Sequence, residues 1–274
     1  MMKNCVLAAM LLAAPAMASA QTLDDLKSDG NVTIAIGNEP PFTAIDSSGK
    51  VSGAAPDVAR AVFEKLGVAA LDAQVIEYGA MIPSLQAKRV DAIAAGLFMK
   101  PERCAAVDYS QPVLCDAEAL LLPSGNPKGF KSYADFAKDP EARLGAPGGG
   151  TEEKLALEAG VPRDRVVVVP DAQSGLKMLQ DGRIDAYSLP VLSLNDLLTK
   201  SADASLEVFA PVEGAPVYCD GVAFRKGNTE LRDAFDVELA KMKESGEFAK
   251  IIEPYGFSAQ AAMSTDRDKL CAQQ

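Results

Sequence analysis

Strand patterns and helix patterns alternate along most of this chain, and the alternation runs through two successive units. The first unit has strand patterns at 32–36, 75–77 and 91–95 and helix patterns at 56–66 and 80–87. The second has strand patterns at 143–146, 166–169 and 185–188 and helix patterns at 151–159, 174–180 and 191–200. Such alternation favours mostly parallel sheets covered by helices. We therefore predict an α/β fold with two lobes, each built on its own sheet.

Two extended segments that contain proline lie beside the second unit. They cover 109–115 and 210–219, and strand patterns follow them at 120–122 and 222–224. Helix patterns at 231–245 and 247–252 come after the second segment. We interpret the two segments as hinge strands, along which the chain crosses to the second lobe and later returns. This interpretation places lobe 1 at 21–113 and 214–274, and lobe 2 at 114–213.

Residues 1–20 have the pattern of a secretory signal peptide. A short basic start containing Lys3 precedes a mostly apolar stretch, and Ala18-Ser-Ala20 fits the small-residue rule for cleavage. The apolar stretch is shorter than the ~20 residues that a membrane-spanning helix needs. We therefore predict that the mature protein begins near Gln21 and is exported to the periplasm.

Charge and composition exclude several classes of function. The chain has 27 basic and 38 acidic residues, a formal net charge of −11, and no His. A surface of this sign repels nucleic acids and anionic membranes, so we expect neither as a partner. Without His, a His-based catalytic triad or a mixed Cys/His metal site is excluded. We therefore predict no metal site and no cofactor.

Four cysteines lie outside the signal-peptide pattern: Cys104, Cys115, Cys219 and Cys271. An even number suits disulfide bonds in an exported protein, and four cysteines permit three complete connectivities. Their spacing is too wide for a CxxC zinc or redox site.

The apolar run at 92–99 ends in a turn, Lys100-Pro-Glu-Arg103, which sets Phe98 and Arg103 five residues apart. This segment resembles the signature of the type-3 extracellular solute-binding proteins, periplasmic proteins that bind polar amino acids. Other segments stand in that family's order, namely Asn38-Glu-Pro-Pro-Phe42, Pro56-Asp57, Tyr78, Tyr109-Ser-Gln-Pro112, Gly182-Arg-Ile-Asp185 and Tyr255-Gly256. The resemblance implies a type II periplasmic binding protein, a Venus flytrap with two hinge strands. Such a protein encloses a small ligand and delivers it to the permease subunits of an ABC transporter. The resemblance thus implies a monomeric binding protein and not an enzyme.

Within that family the chain is most similar to members that bind ectoine and hydroxyectoine. The similarity lies in Glu39, Phe42, Tyr78, Phe98, Arg103 and the run Gly148-Gly-Gly-Thr151. The resemblance implies that lobe 1 binds a small zwitterionic ligand through the first five of these residues. Lobe 2 then closes over the ligand with Thr151.

Two departures from the amino-acid-binding pattern indicate the same ligand. Phe98 stands where the family usually has a Thr that helps the Arg hold an α-carboxylate. Pro190 stands where an Asp usually holds the α-ammonium. An α-amino acid would therefore lack its usual partners, whereas ectoine is a cyclic zwitterion with a delocalised amidinium. Polar amino acids and the betaines (glycine betaine, proline betaine) are the alternative ligands, and a periplasmic dehydratase on the same fold is the alternative class.

The chemistry of these residues suits such a ligand. Aromatic faces attract a delocalised cation by ~0.5–2 kcal/mol each, which gives Phe42, Tyr78 and Phe98 a role. The planar guanidinium of Arg103 matches a carboxylate with two hydrogen bonds, and Glu39 can accept from cationic N–H groups. The glycines before Thr151 open a helix, so we expect their free N–H groups to meet a carboxylate.

We also predict the disulfide connectivity from the expected course of the chain. Cys104 follows a turn of lobe 1, and Cys271 lies in a C-terminal tail that should return to that lobe, so these two should pair. Cys115 and Cys219 end the two proposed hinge segments, so we expect them to lie side by side.

Overall fold

A computed structural model describes residues 22–272. The chain begins with α1 (Leu23–Asp29), β1 (Asn31–Ile36), β2 (Ala44–Ile45), β3 (Val51–Ser52), α2 (Ala54–Lys65), β4 (Ala70–Val75), α3 (Tyr78–Gln86), β5 (Ala92–Ile93), α4 (Pro101–Ala106) and β6 (Val107–Tyr109). It continues with β7 (Cys115–Asp116), β8 (Glu118–Pro123), α5 (Tyr133–Lys138), β9 (Leu144–Pro147), α6 (Thr151–Glu158), β10 (Val166–Val169), α7 (Ala172–Gln180), β11 (Ala186–Pro190), α8 (Val191–Ser201) and β12 (Leu206–Phe209). The last elements are β13 (Tyr218–Cys219), β14 (Ala223–Arg225), α9 (Thr229–Ser245), α10 (Glu247–Ile252), α11 (Ala259–Met263) and α12 (Arg267–Ala272). The predicted signal peptide at 1–20 lies outside the described residues.

Two five-stranded sheets form the two lobes. The strand order is β4-β1-β5-β14-β6 in lobe 1 and β10-β9-β11-β8-β12 in lobe 2. In each sheet two strand pairings are parallel and two are antiparallel. The α/β prediction is confirmed, and so is the expectation of mostly parallel strands, because four of the five strands in each sheet run in the same direction. Strands β14 and β8 enter their sheets from the opposite direction because the chain reaches each of them through a crossing between the lobes.

Local sequence explains where several elements begin and end. Helix α1 starts at a capping box formed by Thr22 and Asp25 and stops at Gly30, which has a φ of 68°. Helix α2 buries Val58 and Val62 on one face against the lobe 1 core. Helix α4 begins with Pro101 at its first position, where the missing N–H costs nothing.

The two crossings between the lobes lie side by side. Strands β7 and β13 pair antiparallel, with Cys115 opposite Cys219. These two cysteines form a disulfide bond, and a second bond joins Cys104 in α4 to Cys271 in α12. The predicted pairing of Cys104 with Cys271 and the predicted proximity of Cys115 to Cys219 are confirmed. Within residues 22–272, no helix is both long and apolar enough to span a membrane.

Candidate ligand-binding site

A cavity of about 240 Å³ lies between the two lobes. Its lining residues come from the loops and helix starts that follow the strands: Glu39, Tyr78, Gly96, Phe98, Arg103, Gly150, Thr151, Glu152 and Pro190. Ligands of α/β proteins bind at this end of the sheet.

Five of the six residues predicted for the site line this cavity, and the sixth, Phe42, lies behind it. The Phe42 side chain is 1% exposed. Its ring packs against Gly96, where an added Cβ would lie 2.6 Å from the ring. The ring also meets Phe98 edge to face at 6.0 Å and Phe257 at 4.7 Å between centroids. Phe42 thus supports the aromatic wall from behind.

Glu39 is buried and connects the two lobes. The Ser193 hydroxyl, on helix α8 of lobe 2, donates to Glu39 Oε1 at 2.7 Å. The Tyr78 hydroxyl lies 3.3 Å from Glu39 Oε2 and 3.0 Å from the Ala95 carbonyl oxygen. Burial and the nearby Glu152 raise the pKa of Glu39 to about 8, although the hydrogen bonds from Ser193 and Tyr78 oppose this shift. Burial thus favours the protonated carboxyl, whereas a cation entering the cavity favours its ionised form.

Tyr78 is the first residue of helix α3. We had expected it at the end of a strand at 75–77, but β4 covers Ala70–Val75 and its last paired residue is Val75. The ring packs against Gly37, where an added Cβ would lie 3.0 Å from the Tyr78 oxygen. Burial, together with the negative charge of Glu39, raises the pKa of Tyr78 well above its ordinary value.

Phe98 stands in a column of rings at the hinge side of the cavity. It stacks on Tyr218 with centroids 5.7 Å apart and planes 20° from parallel. The Lys100 ammonium lies 4.8 Å from the centroid of the Tyr218 ring. The sequence had given no signal for Tyr218, because its place beside Phe98 depends on the return crossing. The expected strand at 91–95 is shorter, since β5 covers only Ala92–Ile93 and Phe98 forms an isolated bridge with Asp220.

Arg103 reaches from lobe 1 to lobe 2. Its Nη1 donates to the Phe98 carbonyl at 2.9 Å, and its Nη2 donates to the Gly149 carbonyl at 3.0 Å. The neighbouring carboxylate, Glu102, pairs with Lys154 of lobe 2. A guanidinium has five N–H groups, so the two bonds to carbonyls fix its plane while donors remain for a carboxylate.

The glycine run before Thr151 does not act as we expected. The Gly149 N–H donates to Glu153 Oε2 at 2.5 Å, and the Gly150 N–H donates to the Pro147 carbonyl at 3.0 Å. Those two N–H groups are thus already paired within lobe 2. The Thr151 side chain, at the start of α6, does line the cavity and is only 3% exposed as a residue.

The glycines instead permit the two lobes to touch. The Gly79 N–H in lobe 1 donates to the Gly148 carbonyl of lobe 2 at 3.2 Å. A Cβ added to Gly149, whose φ is 74°, would lie 2.5 Å from the Gly79 nitrogen. This backbone contact and the Arg103 bridge describe a closed cleft.

Comparison with known proteins agrees with this architecture. Residues 32–258 match the model of the bacterial extracellular solute-binding proteins, family 3. The chain belongs to this family. A probable amino-acid ABC transporter periplasmic-binding protein, y4tE of Sinorhizobium fredii, is 34% identical over 88% of this chain and 82% of its own length. The family and fold inferred from the sequence are therefore confirmed.

Two solved structures are informative about this family member. The crystal structure of EhuB in complex with hydroxyectoine has a TM-score of 0.92, is 74% identical, and covers 93% of this chain and 99% of that chain. An ancestral amino-acid-binding protein, AncCDT-1, described as a precursor of cyclohexadienyl dehydratase, has a TM-score of 0.75 and 25% identity, and covers 85% of this chain and 98% of that chain.

Proposed function

We propose that this protein captures ectoine and hydroxyectoine outside the cytoplasm and delivers them to the permease subunits of an ABC importer. The observation that carries the proposal is the cavity between the lobes, where aromatic faces, a guanidinium and a buried carboxyl meet. The 74% identity to EhuB, solved with hydroxyectoine, supports the same ligand class.

Each part of a zwitterionic ring has a partner in the cavity. The ligand carboxylate would meet Arg103 and Thr151, because a guanidinium and a hydroxyl both donate to carboxylate oxygens. The delocalised cation would lie against Tyr78 and Phe98, with Phe42 supporting that wall. Glu39, which Ser193 and Tyr78 hold in place, would accept from the cationic N–H groups and lose its proton to do so.

Pro190 lines the cavity where amino-acid binders of the family commonly have an Asp. It offers an α-ammonium group no carboxylate, which disfavours α-amino acids. Glycine betaine and proline betaine have no N–H on the quaternary nitrogen, so they would offer Glu39 no hydrogen bond in addition to those from Ser193 and Tyr78. The contrast with α-amino acids and the contrast with betaines therefore both favour ectoine and hydroxyectoine as ligands.

The proposed function requires export of the protein from the cytoplasm. We propose that residues 1–20 form a signal peptide that is cleaved after Ala20, and that the mature chain acts in the periplasm. Residues 21–113 and 214–274 would move as lobe 1, and 114–213 as lobe 2, with closure driven by tighter binding of ligand to the closed state.

The test is calorimetric titration of the mature protein with ectoine, hydroxyectoine, glycine betaine, proline and arginine. Ectoine and hydroxyectoine should saturate one site, and the others should bind far more weakly. Tighter binding of arginine or proline than of both ectoines would refute the proposal. Product analysis after incubation would reveal any turnover, which would favour the dehydratase alternative.

Arg103→Lys sharpens the same test. It should weaken ectoine binding by ~2–4 kcal/mol, because an ammonium cannot hold the two carbonyls and a carboxylate in one plane. The exposed Arg89 is a matched control, and Arg89→Lys should bind ectoine like the unmodified protein.

A further inference from the structure

Two buried carboxyl groups meet at the lobe 2 wall of the cavity. Glu152, in the first turn of α6, lines the cavity beside Thr151 and is 4% exposed. Glu118, the first residue of β8, is fully buried, and its carboxyl faces that of Glu152. The sequence had assigned neither residue to the site.

Glu118 has an unusual hydrogen-bonding environment. Neither of its carboxyl oxygens accepts a hydrogen bond from an N–H or O–H group among residues 22–272. Within that range, the group placed to share a hydrogen bond with it is the Glu152 carboxyl. Two ionised carboxylates only accept, so a hydrogen bond between them requires that one carries a proton.

The charged groups around Glu118 and Glu152 do not remove the need for a proton on one of the two carboxyls. Lys100 and Arg103 face it from lobe 1, and Glu39 adds a third buried carboxyl. Neither cation forms an ion pair with Glu118 or Glu152 within 4.0 Å in the described part of the chain. Lys100 lies over the Tyr218 ring, and Arg103 bonds to two carbonyls.

The remaining titratable neighbours are phenols. Tyr133 and Tyr218 face Glu118, and Tyr78 and Tyr187 face Glu152. Burial and the electrostatic effect of the carboxylates raise the pKa of each phenol, so all four remain neutral and do not compensate the pair. Burial raises the pKa of Glu118 well above its usual value, and it raises that of Glu152 as well.

This environment has a consequence for binding that rests on the proposed function. A ligand carboxylate held by Arg103 and Thr151 would sit next to Glu152. A further negative group beside two carboxyls strengthens their hold on a proton. We propose that Glu118 and Glu152 share a proton in the closed protein, that ligand capture draws protons to this pair, and that Glu118 is a positioning residue for Glu152.

Glu39 acts in the opposite direction. The ligand cation favours ionised Glu39, so binding releases protons from that residue. The net number of protons exchanged on binding is therefore the uptake by the Glu118–Glu152 pair minus the release from Glu39. A comparison of the unmodified protein with Glu118→Gln isolates the pair, because Glu39 is present in both proteins.

The experiment is calorimetric titration with hydroxyectoine in phosphate and in Tris buffer at mildly acid, neutral and mildly alkaline pH. Because the two buffers differ in ionisation enthalpy, the difference in heat gives the protons exchanged per ligand. The unmodified protein should take up more protons per bound ligand than Glu118→Gln. The difference should approach one proton per ligand as the pH rises. Its affinity should fall more steeply with pH, by up to about tenfold per pH unit relative to the variant.

Glu213→Gln, which removes an exposed carboxyl from lobe 2, should behave like the unmodified protein. Circular dichroism verifies folding, and if Glu118→Gln does not fold, Glu152→Gln gives the same comparison of proton counts. Equal proton exchange in the unmodified protein and the pair variant would overturn the inference while leaving the proposed function intact. Failure of both ectoine and hydroxyectoine to saturate the protein would overturn the proposed function, and this inference with it.

Discussion

Replacing Gly149 by Ala should prevent full closure of the two lobes. The new Cβ would lie 2.5 Å from the Gly79 nitrogen of the opposite lobe. The Cβ would overlap the Gly79 Cα as well, and non-bonded carbon atoms prefer a separation of about 3.5–4.0 Å, so the lobes would have to part by about 1 Å at this point. The contact is between two backbones, and no flexible side chain can move to relieve it.

The loss of affinity follows from the bonds that this separation breaks. The Gly79 N–H bond to Gly148 is 3.2 Å long, and the Arg103 bond to Gly149 is 3.0 Å long. Neutral and charged hydrogen bonds contribute about 0.5–1.5 and about 1.5–3 kcal/mol, so closure should lose about 2–4.5 kcal/mol. The dissociation constant for hydroxyectoine should therefore rise roughly 30- to 2,000-fold. Calorimetric titration measures this change directly.

A neighbouring glycine provides the control. A Cβ on Gly79 would lie 3.5 Å from the Gly149 Cα, which is an ordinary contact, and Gly79 is in the first turn of a helix, where Ala is favoured. Gly79→Ala should thus bind within about threefold of the unmodified protein. Ala at the φ of 74° found at Gly149 also costs about 1–2 kcal/mol. A folded Gly149→Ala protein with unchanged affinity would refute the reasoning.

Three further predictions concern the aromatic wall, the buried carboxyl and the tail. Phe98→Thr should weaken ectoine binding by ~1–3 kcal/mol in calorimetry, without a gain for amino acids, because Pro190 remains; strong amino-acid binding would contradict this. The pKa of Glu39 rises from 4.5 to about 8 on folding, so its contribution to stability is complete below 4.5 and is lost as the pH rises through about 8. The melting temperature should therefore fall across that window, and less so in Glu39→Gln; parallel curves would contradict the shift. Replacing both Cys104 and Cys271 by Ser should lower the free energy of unfolding by ~2–5 kcal/mol in urea titration, with ligand affinity retained.

Much of the fold could be predicted because it rests on local periodicity. The strand at 166–169 and the helix at 247–252 were predicted at their observed bounds. The reversed direction of β8 and β14 was not predictable in the same way, because an apolar run has the same pattern in a parallel and an antiparallel strand. Burial also does not require strand pairing. Ala94 to Met99 are all buried, yet only Ala92–Ile93 form strand β5.

The parts of the site that escaped prediction come from the opposite lobe or from far along the chain. Ser193 reaches Glu39 across 154 positions, and no motif marks a serine in the first turn of a helix as its partner. Glu152 follows Thr151 directly, but its contact with Glu118 depends on the lobe 2 sheet. Tyr78 was expected at the end of the strand pattern at 75–77, because no side-chain cap before it marks the start of α3.

The buried disulfide bond between Cys115 and Cys219 joins the two hinge strands covalently, and this link depends on the compartment in which the protein is found. Disulfides form in oxidising compartments and stay reduced in the cytosol. In a reduced chain only the antiparallel pairing of β7 and β13 joins the two crossings, whereas in an oxidised chain a covalent bond joins them as well. Under the proposed export, the covalent link between the two crossings therefore forms only after the chain has left the cytoplasm. A copy retained in the cytosol, among the solutes that it is proposed to import, would have the same sequence but would lack the covalent bond between its hinge strands.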